Sequence, residues 1–124
     1  MLDCSLDGRC VLFWLTTIMD QIEKIREEAW IGDAVLALFV RDWLLQEAGE
    51  ISLAQRTALF ELFASNQFLS TFGEPTRIEA EIGRVYQSHG LEAAFDLIKE
   101  KLLSRFLKAA RKKGHLLGMR RPVA

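Results

Sequence analysis

The chain has 124 residues, half of them hydrophobic and 27% charged, with a formal net charge of −1. That length accommodates one domain with a core of its own, and the composition excludes a disordered or low-complexity chain. Neither histidine, His89 nor His115, lies near Cys4 or Cys10, which excludes a zinc site of ordinary spacing and fits reduced thiols in a cytoplasm.

From the N-terminus, the run CVLFWLTTIM at 10–19 is too short to span a bilayer and lacks the basic leader and cleavage site of a secretory signal. It reads as a packed N-terminal helix with no membrane role; Met19 is a second candidate start, with residues 1–18 as an upstream extension. A charged helical stretch from Asp20 to Glu28 leads into an apolar helix from Trp30 to Glu47, stopped at Gly49. Ser52, with Gln55 three residues on, is a capping box. It opens a helix that directs Leu53, Leu59, Phe60 and Phe63 to the core and ends near Ser65 and Asn66.

A helical turn through Phe68 and Leu69 reaches Gly73, and Pro75 then suits a first helical position, where its missing N–H costs nothing. That helix presents Ile78, Ile82, Val85 and Tyr86 on one face and ends at Gly90. A long helix follows from Leu91 to about Lys113, closed by Gly114, with frayed residues beyond. Nothing alternates with the period of a strand, so the expected fold is all-α. The division is an N-terminal helix or extension at 1–19, a helical domain at 20–113 and a basic tail at 114–124.

Charge is divided along the chain. Residues 1–98 carry 16 acidic and 7 basic side chains, and residues 99–124 carry 1 acidic and 9 basic. The basic end attracts polyanions, which the acidic body repels unless cations intervene. Within that end Lys108, Arg111, Lys112, Lys113, Arg120 and Arg121 are candidate RNA-binding residues, against the alternative of an ordinary solvated helix face. Asp33, inside IGDAVLALFV, is a carboxylate on a helix that is apolar nearly all round. Buried there, it needs a cation, a hydrogen-bond partner or a shifted pKa; an arginine or a helix cap meets that need as well as a metal does. Gly32 and Gly83 read as close helix crossings, and His89 and His115 as surface residues.

The strings WIGDAVLALFV at 30–40, FASNQFL at 63–69 and IEAEIGRVYQSHGLEAAFDLI at 78–98 resemble, in order, the signature helix, the Ser-Asn-x-x-Leu segment and the Glu-Ala-x-Ile-Gly segment of the ribonuclease III family. They span about residues 20–105, close to a whole catalytic domain, and the brevity is similar to that of the family's minimal members. The resemblance implies a dimeric, magnesium-dependent endoribonuclease domain acting on double-stranded or structured RNA. In it Asp33 and Glu79 are catalytic residues and Mg²⁺ ligands, and Trp30 packs across a homodimer interface; filling the monomer's own core is the other reading of Trp30.

The family pattern is incomplete here. Arg26 and Ala29 stand where the signature helix has glutamates, and Thr76 where the family has a second aspartate. Arg26 and Ala29 lie within about 40° of Asp33 on the helix, whereas Glu27 and Glu28 lie more than about 100° away. Two functions follow: hydrolysis with Mg²⁺ on Asp33 and Glu79, helped by Glu28, Glu74 or Glu81 from displaced positions, or a catalytically inert RNA-binding or ribosome-associated scaffold. In the second, the Arg26 guanidinium stands in for the metal, unless it simply points into solvent. A helical protein-interaction module leaves the basic tail unexplained.

Overall fold

A computed structural model describes residues 8–47 and 51–112. Among them every regular element is helical, without a strand: α1 (Gly8–Glu47), α2 (Leu53–Ala64), α3 (Asn66–Leu69), α4 (Pro75–His89), α5 (Leu91–Ile98), a π-helical segment (Lys99–Leu103) and α6 (Ser104–Lys112). The all-α expectation holds. Helix ends at Gly49 and Gly114, the thiols of Cys4 and Cys10, His115, the tail at 114–124 and the basic residues Lys113, Arg120 and Arg121 lie outside the described residues.

Local chemistry sets the boundaries. Ser52 Oγ accepts the Gln55 amide N–H at 3.1 Å while the Ser52 amide donates to Gln55 Oε1 at 3.1 Å, closing the capping box on α2. Ser65 ends α2 and caps α3, its hydroxyl accepting the Phe68 amide at 3.0 Å. Pro75 opens α4, and Gly90, at φ 92°, turns the chain from α4 into α5, a backbone conformation glycine adopts at little cost.

The core gathers around α1. Leu36, Phe39, Val40 and Leu44 meet Leu59 and Phe63 of α2, Leu69 of α3, Ile82 of α4 and the inner side of the last helix. Phe63 stands at its centre, 4.2 Å between ring centroids from Phe106 and edge-on to Phe39 and Phe68. Helix α1 packs most extensively against α4, and the two backbones touch where they cross. A Cβ on Gly32 would overlap the carbonyl of Glu79 and one on Gly83 would overlap that of Glu28, so only glycine admits this approach.

Several expectations need correction. The apolar run, described from residue 11 onward, is not packed against the rest of the described chain. It belongs to the single 40-residue α1, which passes from 19 to 20 without a break, and residues 11–24 are all exposed. Leu53, expected to face the core, is 73% exposed in the first turn of α2. The long last helix is continuous from 91 to 112 but contains the π segment. Along it Ala94, Ile98, Leu102, Phe106 and Ala110 are all buried, at strict four-residue spacing. In a pure α-helix that spacing drifts by about 40° per step, turning the last of the five well away from the first. The wider π turn returns the face to the core.

Candidate functional site: a carboxyl pair at the crossing of α1 and α4

Asp33 follows Gly32 on α1, and Glu79 contributes the carbonyl that Gly32 faces from α4. The glycine contact therefore brings together two residues 46 positions apart. Their side chains share a hydrogen bond, and the Glu79 carboxyl is pushed up to about 7, first by burial and then by the hydrogen bond to Asp33 and the charge of Asp33. While it keeps its proton, the Glu79 carboxyl can donate to Asp33. Asp33 is exposed and Glu79 half-buried, so the pair opens to solvent. The expectation of a buried Asp33 was wrong, because its side of α1 is left uncovered by the rest of the chain.

Ala29 is buried against the body, where a carboxylate would have to be desolvated, and Thr76 is partly buried. Arg26 is exposed and lines a shallow groove along α1 with Met19, Ile22, Glu23, Glu27 and Trp30. Among the described residues it makes no ion pair with Asp33 or Glu79. The idea that its guanidinium neutralises the pair is therefore not supported by a contact. Trp30 is 78% exposed, which removes the reading in which it fills the monomer's own core.

The three glutamates that might have joined the pair are engaged with cations. Glu28 lies beneath the crossing, the buried charged residue of the described chain, and receives Arg84 Nε at 3.2 Å. Glu74 receives Arg77 Nε at 3.3 Å and Glu81 receives Lys101 Nζ at 2.7 Å. Among the described residues no group of three or more His, Cys, Asp or Glu is arranged to hold a metal. Two oxygen-bearing side chains still suit a hard cation that keeps most of its water, and Mg²⁺ is commonly held by one or two carboxylates.

Sequence reasoning missed Arg84. It lies 56 positions from Glu28, and no local spacing couples the two; the available signal was its place directly after Gly83. On α6, Phe106 and Ala110 face the core while Lys108, Arg111 and Lys112 are exposed. Arg105 is committed elsewhere, donating to the Thr71 carbonyl at 2.7 Å and lying over the Phe72 ring at 4.6 Å. No helix among the described residues is long and apolar enough to cross a membrane. No protein-family model, curated protein or solved structure matches the chain.

Proposed function

We propose that this chain is a ribonuclease III-like domain that engages double-stranded or structured RNA and hydrolyses its phosphodiester bonds with Mg²⁺ held by Asp33 and Glu79. The observation that carries the reading is the convergence of these two carboxyl groups, from separate helices, at a glycine-on-glycine crossing. When bound, the cation would activate water and offset charge on the scissile phosphate. The chain's own part is to hold two oxygen donors on rigid helices, with Glu79 surrendering its proton as the cation enters. Exposed Lys108, Arg111 and Lys112 attract the phosphate backbone that the acidic body would repel. Exposed Trp30 supports a homodimer contact.

A second reading has its own support. With Arg26, Ala29 and Thr76 in place of carboxylates and Glu28, Glu74 and Glu81 paired with cations, the site has two acidic groups, and an inert RNA-binding scaffold needs no more. Incubating a labelled RNA duplex with the protein, with and without Mg²⁺, separates the two. Metal-dependent products that disappear in Asp33→Ala establish the hydrolase. Retention of the duplex without cleavage, at equal affinity in the parent and Asp33→Ala, establishes the scaffold, and failure to bind RNA refutes both.

A further inference from the structure

Helices α1 and α4 meet on small side chains. Ala29 and Gly32 of α1 and Ala80 and Gly83 of α4 are all buried there, and at the point of closest approach Gly32 and Gly83 each rest on the other helix's backbone. Crossing angles are set by ridges of side chains seated in grooves, and glycine and alanine supply almost no ridge. The contact therefore fixes how near the helices come and leaves their angle to whatever ties them on either side. Two polar contacts do so. Asp33 shares a hydrogen bond with Glu79, and Glu28 receives Arg84 Nε at 3.2 Å. Glu28 and Asp33 are five residues apart on α1, as are Glu79 and Arg84 on α4. At 100° per residue a five-residue step turns about 140° round its helix, so the two contacts lie on opposite flanks of the crossing.

The flanks are unequal. Asp33 is exposed and Glu79 half-buried, both within reach of water, whereas Glu28 is 7% exposed. On the side of Arg84 the helices leave a cavity of about 190 Å³ lined by Ile25, Arg77, Ala80, Glu81 and Arg84, so the ion pair spans an open side rather than a packed one. The other charges at that cavity have partners of their own, Arg77 with Glu74 and Glu81 with Lys101. We infer that Glu28 and Arg84 are positioning residues: their ion pair sets the angle at which α4 crosses α1, and so holds the Asp33 and Glu79 carboxyl groups at the spacing a divalent cation requires. The second half of that statement rests on reading the carboxyl pair as a cation site; the first half does not. Stability alone does not account for the ion pair, because a buried pair returns little over well-packed apolar side chains of similar volume. An apolar pair, however, has no directional contact, and the helices settle at another angle.

The double variant Glu28→Leu/Arg84→Met separates positioning from stability. Its Tm should equal or exceed the parent's. The nuclear Overhauser contact between the Asp33 and Glu79 side chains should be present in the parent and lost in the variant, while that between the α-protons of Gly32 and Gly83 persists in both. The Mg²⁺ dissociation constant, from calorimetric titration, should rise by about 10-fold or more. A variant that keeps both the Asp33–Glu79 contact and the parent's affinity overturns the inference. A fall in Tm with that contact kept also overturns it, since the ion pair then only stabilises. A parent that binds no Mg²⁺ refutes the cation site alone, and the Overhauser contact still decides whether the ion pair sets the crossing. Should the double variant not fold, Glu28→Gln/Arg84→Met, which keeps the shape at position 28, takes its place with the same expected outcomes.

Discussion

Glu79 holds its proton well above the pH at which an ordinary glutamate loses it, from a reference of 4.5 to about 7, and this ties the stability of the fold to pH. Below about 4.5 the group is protonated folded and unfolded, and it contributes nothing. Between 4.5 and about 7 the folded chain keeps a proton that the unfolded chain has released, so stability falls as pH rises; above about 7 the loss is complete. Tm measured from pH 4.5 to 8 should therefore decline, with a shallower slope in Glu79→Gln. Added Mg²⁺ should recover Tm at pH 8 in the parent and not in that variant. The other residue-scale prediction concerns Glu28, whose side chain is 9% exposed against 58% for Arg84. Arg84→Ala leaves a carboxylate beneath the crossing without its cation, at a cost of about 2 kcal/mol by urea denaturation, since water reaches the arginine side of the pair. Glu28→Gln should cost less, as a neutral amide needs no counter-charge.

At the scale of helices, the α1–α4 crossing positions the site. Gly32→Ala would drive a methyl group into the backbone of Glu79, and backbone cannot rotate away as a side chain can. The variant should lose about 3 kcal/mol, and the raised titration of Glu79, followed by carboxyl NMR, should fall toward the ordinary range as the helices separate. Sequence made some of these elements plain and concealed others. Ser52 with Gln55, Pro75 and Gly90 mark their helix ends through local hydrogen bonding and backbone freedom, which adjacent residues dictate. The meeting of Asp33 with Glu79 is non-local: the order of three family-like strings suggested it, and the glycines at 32 and 83 explain it. The open N-terminal half of α1 was misread because an apolar run signals a packed face, and here the described chain leaves residues 11–24 uncovered. Leu53 misled for a simpler reason, since a first-turn position rises above the layer its periodicity points toward.

For the whole molecule, charge and shape diverge. The basic excess after residue 98 was countable from composition, but its placement was not. Arg105 is spent on Thr71 and Phe72 and Lys101 on Glu81, leaving Lys99, Lys108, Arg111 and Lys112 facing outward among the described basic side chains of the last helix. Changing Lys108 and Lys112 to alanine should lower the slope of log affinity against log salt by roughly 2 for an RNA duplex. An unchanged slope would mean that the duplex approaches from another side. The π turn at 99–103 carries a different consequence. It amounts to one surplus residue coiled into a helix whose inner side is already in phase, so the chain holds a spare unit of length. Removing exposed Glu100 should let the turn relax into ordinary α-helix with Phe106 and Ala110 still pointing inward, at the cost of a shift of about 1.5 Å along the axis. The shortened protein should fold with a Tm close to the parent's, whereas excising one residue from the middle of α4 should abolish folding. A helix that tolerates being cut short by one residue can also have gained that residue by insertion without losing its fold.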